Sequence, residues 1–183
     1  MQQKIHLRKK YYNLRKKKYY EVKKEFFLPL LKLIHSKLKK KPIKIALYYP
    51  TNFELNVLKF LDLNNTLTSN ILLPVTNKNN HMDFFSWQKN DLLFVSKFGI
   101  LEPAETQAKV PDVMLLPILA FDRSKYRLGY GKGYYDRYLN KYLKKFKNIL
   151  TVGVAFSFQR HHKLPINNND VKLNYIITEK GIY

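Results

Sequence analysis

At 183 residues, with 45% hydrophobic and 15% aromatic content, the chain is long enough to bury a substantial core and cramped for two independent domains. The absence of cysteine excludes disulfides, thiolate metal sites and a cysteine nucleophile, and it fits a reducing, cytoplasmic compartment. The net charge of +21 rests on Lys, with Arg only at Arg8, Arg15, Arg123, Arg127, Arg137 and Arg160, and no helix-turn-helix, zinc-finger or RNP pattern puts it to use, so a solvated Lys-rich surface is expected rather than a nucleic-acid face.

From Lys4 to Lys39 the chain has no Gly and a Pro only at Pro29, which predicts two helices. In the second, Val22, Phe26, Leu30, Leu31 and Ile34 recur at helical spacing and mark the face that packs on the domain. The apolar stretch Phe26 to Ile34 is interrupted by Lys32 and is too short to span a bilayer, so a soluble protein with no membrane partner is expected. Pro42 ends the helical region. Ile43 to Tyr49 then reads as a buried strand, Pro50-Thr51-Asn52 as a turn, and Glu54 to Leu63 as a short helix. Asn77 to Asn90 is polar, contains Trp87, and reads as a loop or short hairpin.

Further strands are predicted at Ile71 to Val75, Leu92 to Ser96, Val113 to Ala120, Ile149 to Phe156 and Tyr175 to Thr178. Tyr135, Tyr138, Leu139, Tyr142, Leu143 and Phe146 trace one apolar face of a helix between two of them. Alternation of this kind predicts an α/β fold, a three-layer sandwich with a mostly parallel central sheet between helices and an N-terminal helical segment. No linker divides the chain, so residues 1–183 are expected to form one domain, as a monomer.

Gly129, Gly131 and Gly133 cluster in Arg127-Leu128-Gly129-Tyr130-Gly131-Lys132-Gly133-Tyr134-Tyr135-Asp136-Arg137, between a strand and a helix. Glycines let backbone N–H groups converge, and a helix N-terminus adds about half a positive charge, so the segment can bind an anion, phosphate above all. Arg127 and Lys132 bring full charges to it. Asp136 can hold Mg²⁺, which takes one or two carboxylates and fills its octahedron with phosphate oxygens and water, and Asp170 is the candidate second ligand. The pattern is neither a P-loop, because Gly133 follows Lys132, nor a Rossmann fingerprint, which comes early in its fold. Read alone, the loop is also compatible with a tight turn in which Asp136 serves the helix dipole, or with a sugar-phosphate isomerase or group transferase.

At these residues the sequence resembles the 5-formyltetrahydrofolate cyclo-ligase family, in the run Arg127 to Arg137 followed by Tyr138-Leu139. The resemblance continues, in order, through Lys4, Arg8 and Arg15, Tyr48 to Glu54, Phe98-Gly99-Ile100-Leu101-Glu102-Pro103, Leu116-Pro117, Ala120-Phe121-Asp122, Ala155 to Gln159, Pro165 and Asp170. It departs at Asn169, where many members have His, and at Asn174, where an acidic residue is common. The resemblance implies conversion of 5-formyltetrahydrofolate to 5,10-methenyltetrahydrofolate with ATP and Mg²⁺. It implies ATP contacts at Lys4, Arg8, Arg127, Leu128, Gly129, Tyr130, Gly131, Lys132, Gly133, Tyr134 and Tyr135, with Arg127 and Lys132 neutralising the phosphoryl group in transfer. Folate contacts are implied at Tyr49, Glu54, Tyr130, Gly131, Lys132, Gly133 and Tyr134, and metal ligands at Asp136 and Asp170. Trp87 either stacks on the pterin or packs as core or lid; His161 and His162, which lack a spaced ligand partner, are expected at the surface.

Overall fold

A computed structural model describes residues 2–39, 42–63, 69–77, 81–143 and 149–183. The elements in chain order are α1 (Gln2–Lys18), α2 (Leu28–Lys37), β1 (Ile43–Ala46), β2 (Ser69–Thr76), β3 (Met82–Ser86), β4 (Leu93–Val95), β5 (Leu101–Pro103), β6 (Val113–Pro117), β7 (Ala120–Phe121), β8 (Arg127–Leu128), α3 (Tyr134–Leu143), β9 (Leu150–Val154), β10 (Tyr175–Thr178) and β11 (Gly181–Ile182). The seven-stranded sheet has the order β11-β10-β9-β6-β1-β2-β3. Its strands from β10 to β2 run parallel, and antiparallel β11 and β3 close the edges. The mostly parallel α/β architecture expected from the alternation of elements is the one observed.

Period-2 alternation in the strands divides the core between the two faces of the sheet. Ile43, Ile45, Leu73, Val113, Leu115, Val152, Val154 and Ile177 pack with Phe27, Leu30 and Ile34 around α2. Ala46, Leu72, Met114, Leu116 and Ile176 face the other way, onto Tyr138 and Leu139 of α3. Both faces are apolar, and near-continuous hydrophobic strands are what a doubly covered parallel sheet requires. A smaller cluster joins Leu7 and Tyr11 of α1 to Leu119, Ala120, Leu128 and Leu164.

Several expectations change in detail. The second predicted helix is broken: a 3-10 turn spans Lys24–Phe27 and α2 begins only at Leu28, where Pro29 sits in the first turn that tolerates it. The predicted helix from Glu54 reduces to a 3-10 segment, Val57–Leu63, because Glu54 is engaged in a turn with Thr51. Among the described residues Leu92 to Ser96 does not join the main sheet; β4 pairs with β5, and its Phe94 and Val95 are exposed. The segment containing Trp87 does form a hairpin arm, β3, against β2. Trp87 itself is 5% exposed within the α2-side core, so of its two alternatives the packing role is the one observed. Phe146 lies outside the described residues.

Gly153 in β9 shows how closely the sheet is packed. A Cβ there would collide with Ile118 Cδ1 and meet Ile176 Cδ1 at 2.7 Å and Leu173 Cδ1 at 2.9 Å. Gly153→Ala is therefore expected to cost about 1–3 kcal/mol of stability by overpacking, measured as a lower midpoint in urea unfolding with an unchanged slope.

Candidate functional site

The chain leaves parallel strands β1, β6 and β9 at the same end of the sheet, and the segments that follow them build the site. β1 and β6 are neighbours, with β2 continuing the sheet to one side and β9 to the other, so their C-terminal ends flank the position where strand order reverses. Beyond β6 the hairpin β7–β8 carries the chain into the glycine loop. Asp122 fixes its turn, Oδ1 accepting from Ser124 N at 2.9 Å and Tyr126 N at 3.1 Å, and Oδ2 from Leu164 N at 3.1 Å.

In the loop each glycine lies under a guanidinium. A Cβ on Gly129 would meet Arg127 Nη1 at 2.8 Å, one on Gly131 would meet Arg8 Cζ at 3.0 Å, and one on Gly133 would meet Arg137 Nη1 at 2.9 Å. Gly131 and Gly133 also need φ of +99° and +71°, which L side chains rarely adopt. Helix α1 lies over the loop: Arg8 Nε donates to Gly129 O at 2.9 Å, and Lys4 Nζ pairs with Asp170 Oδ2 at 2.5 Å. Lys132 is exposed, its ammonium 5.3 Å from the Phe98 ring centroid, and Tyr134 packs edge-on against the same ring. Leu128 buries its side chain in the α1 cluster.

Asp136 stands in the first turn of α3. Its Oδ1 pairs with Arg127 Nη2 at 2.9 Å and accepts from Val171 N at 3.4 Å, which brings it beside the segment carrying Asp170. Among the described residues no cluster of three or more His, Cys, Asp or Glu side chains is preformed. Asn174 is committed elsewhere: its Oδ1 accepts from both Thr151 N and Thr151 Oγ1 at 2.8 Å and ties β9 to the chain entering β10.

A cleft of about 290 Å³ opens beside the loop, lined by Tyr19, Pro50, Thr51, Asn52, Phe53, Glu54 and Asn56. Glu54 is 7% exposed, and its Oε2 accepts from Thr51 N at 2.9 Å and Thr51 Oγ1 at 3.3 Å. Burial raises the Glu54 carboxyl above its ordinary value, while hydrogen bonds from Tyr130 and Thr51 and the charge of Arg15 oppose that rise. Burial raises the Tyr130 hydroxyl, and the Glu54 charge adds to it, although 40% of the residue as a whole remains accessible. At the cleft wall, burial and a hydrogen bond to Glu21 push Tyr19 up to about 12. Tyr49 is half-buried against the α2-side core, and Tyr135 packs partly into the α3 side with Arg127 5.6 Å from its ring centroid.

The predicted residues thus fall into two adjoining groups, one at the glycine loop and the segments beside it with Lys4, Arg8, Arg127, Lys132, Asp136 and Asp170, and a cleft headed by Glu54, with Tyr130 between them. The residue that joins them is Arg15, which sequence reasoning placed only in a spacing pattern; the i, i+4, i+8 register of the buried Leu7, Tyr11 and Arg15 was the available signal. His162 is exposed as expected, but His161 is half-buried, its Nδ1 3.0 Å from the Tyr11 hydroxyl.

Fold and site together define an α/β protein whose glycine loop, crowded by guanidinium groups at the start of a helix, adjoins a carboxylate-headed cleft. The sequence pattern of the 5-formyltetrahydrofolate cyclo-ligase family matches residues 1–179. A 5-formyltetrahydrofolate cyclo-ligase from Haemophilus influenzae is 28% identical over 150 residues, 78% of each chain. The solved structure of a 5,10-methenyltetrahydrofolate synthetase from Aquifex aeolicus superposes with a TM-score of 0.74 at 32% identity, covering 98% of this chain and 91% of that one. The synthetase from Mycoplasma pneumoniae gives 0.66 at 28% identity, covering 96% and 98%. The chain belongs to the 5-formyltetrahydrofolate cyclo-ligase family.

Gly131→Ala is expected to displace the Arg8 guanidinium and strain the loop, weakening pyrophosphate binding at least about tenfold at a stability cost of about 1 kcal/mol. Calorimetric titration alongside thermal unfolding separates the two effects.

Proposed function

We propose that the chain converts 5-formyltetrahydrofolate and ATP to 5,10-methenyltetrahydrofolate, ADP and phosphate, in the cytoplasm and as a single-domain monomer. The observation that carries the reading is the adjacency of a glycine loop overlain by Arg8, Arg127 and Arg137 to a cleft headed by buried Glu54, which accepts a hydrogen bond from Tyr130 of that loop. Such a pair suits a polyanion on one side and a ring with N–H donors on the other. Among the described residues no helix is long and apolar enough to cross a membrane.

An N-formyl group is an amide, and its oxygen is a poor leaving group until it is phosphorylated. In this reading the γ-phosphoryl passes to the formyl oxygen with release of ADP. N10 then attacks the activated carbon, loses its proton, and phosphate departs. The protein's task is positioning and charge neutralisation. Arg8 and the loop N–H groups would hold the phosphates, with Lys4 released from Asp170 to join them; Arg127 and Lys132 would face the phosphoryl group in transfer. Glu54 would accept from the N–H edge of the pterin, with Tyr49 and the segment Tyr130 to Tyr134 beside it.

Mg²⁺ fits Asp136 and Asp170, whose carboxylates are both partly accessible and lie on adjoining segments. Two protein carboxylates suit an ion that draws its remaining ligands from phosphate and water. When bound it would neutralise charge on the transferring phosphoryl group.

The test is the near-UV absorbance of 5-formyltetrahydrofolate mixed with the protein. A band from the conjugated methenyl product is expected only with ATP and Mg²⁺, and Asp136→Asn should slow its growth at least about a hundredfold with little change in folate binding. A folded protein that gives no band would overturn the reading.

A further inference from the structure

Arg15 is the most buried charged residue of α1, 1% exposed in a helix whose other cations are mostly solvated. A guanidinium is removed from water at this cost only where acceptors replace the solvent. Its Nη1 donates to Ile118 O at 3.2 Å and its Nη2 to Asn52 O at 2.7 Å, and Nη2 also donates to the Tyr130 hydroxyl. Tyr130 in turn donates to Glu54. The path therefore runs from helix α1, through a glycine-loop side chain, to the carboxylate at the head of the cleft.

The turn that presents Glu54 needs such support. Asn52 and Phe53 adopt φ of +49° and +62°, a left-handed conformation that Asn tolerates but that is unfavourable for a bulky Phe. Arg15 holds this turn by the Asn52 carbonyl, while Phe53 packs edge-on against Tyr12 and Tyr19. Glu54 itself is buried; it accepts hydrogen bonds from Tyr130 of the glycine loop and Thr51 of its own turn, its charge is felt by Tyr48 beyond β1 and Tyr135 of α3, and it feels the positive charge of Arg15 from α1. Arg15 is the cation in that set.

We infer that Arg15 is a positioning residue for the cleft: through the Asn52 carbonyl and the Tyr130 hydroxyl it fixes the orientation of Glu54 and keeps it a carboxylate able to accept substrate N–H groups. The substrate's part in this rests on the folate reading above; the action of Arg15 on Glu54 does not. Removing the charge leaves the burial of Glu54 opposed by the hydrogen bonds from Tyr130 and Thr51 alone, so the carboxyl protonates at higher pH, and a protonated carboxyl presents a donor where an acceptor is needed.

The test uses the full chain with 13C-carboxyl-labelled glutamate, the Glu54 resonance being identified by its loss in Glu54→Gln. The Glu54 titration and the pH profile of kcat/KM are compared in wild type, Tyr130→Phe, Arg15→Met and Arg15→Lys. Tyr130→Phe and Arg15→Met should move the Glu54 midpoint and the acid limb upward together. The loss in kcat/KM is expected to be about tenfold or more at pH 5.5, shrinking toward about twofold at pH 8.5. Arg15→Lys keeps the charge but not the fork, so it should restore most of the midpoint while KM stays raised. If Arg15→Met does not fold, Tyr130→Phe and Arg15→Lys still decide the matter. A Glu54 midpoint and acid limb that stay at their wild-type positions in folded variants would overturn the inference. A wild type inactive on folate would overturn the reading of the substrate and leave the Glu54 titration to judge Arg15.

Discussion

Burying one guanidinium obliges separate stretches of chain to deliver acceptors to a single point. Arg15 collects Ile118 O from beyond β6, Asn52 O from beyond β1 and the Tyr130 hydroxyl from the glycine loop. Strands β1 and β6 are neighbours, so these acceptors arise where the sheet changes direction, and α1 is drawn across that position. Once α1 is seated there by Leu7, Tyr11 and Arg15, the residues one turn apart along it, Arg8 and Lys4, are brought to the glycine loop and to Asp170 respectively. The docking of a helix that is otherwise Lys-rich and weakly apolar thus follows from one polar constraint together with a narrow apolar seam.

The glycine loop gives that docking its close-packed cluster of cations. Side chains at Gly129, Gly131 and Gly133 would displace Arg127, Arg8 and Arg137, so the absence of Cβ atoms is what lets like charges gather against bare backbone. Gathering them is unfavourable in the absence of an anion, since like charges in a partly desolvated site repel. Asp136 and Asp170 offset part of that repulsion by pairing with Arg127 and Lys4. The wider net charge of +21 adds a field that attracts anions but does not build the site.

Much of the fold was legible because period-2 and period-3.6 patterns survive in single segments. The strands Ile43, Ile71, Val113, Ile149 and Tyr175 introduce all appear near their predicted places in the main sheet, and the apolar face of α3 carries its core contacts through Tyr138 and Leu139. The glycine loop was legible for another reason, since clustered glycines before a helix leave few alternatives. What failed was decided by tertiary partners. Leu92 to Ser96 has strand composition, but among the described residues it pairs with the short segment Leu101–Pro103 and not with the main sheet. Glu54 looked like a helix start until Thr51 claimed its carboxylate, and the partners of Lys4 and Arg15 lie more than a hundred positions away in sequence at Asp170 and Tyr130. Composition cannot distinguish a solvated Lys or Arg in a basic helix from one whose acceptor is that remote.

The two carboxylates and their cations explain why the anion loop and the cleft need not be read as separate devices. Asp136 sits on the first turn of α3, where the helix dipole already favours a negative charge, and Arg127 adds a full positive charge at 2.9 Å. Lys4 and Asp170 are each partly accessible, with 18% and 17% of the side chain exposed, so separating that pair exposes both groups to solvent or ligand at modest cost. Arg15, at 1% exposure, is different: its charge has no comparable route to water, and its partners cannot be exchanged without opening the junction. The site therefore combines exchangeable ion pairs at its rim with a fixed cation at its centre. The fixed one reaches through Tyr130 to the carboxylate that the cleft presents, so the geometry at the loop and the charge at the cleft are set by the same buried residue.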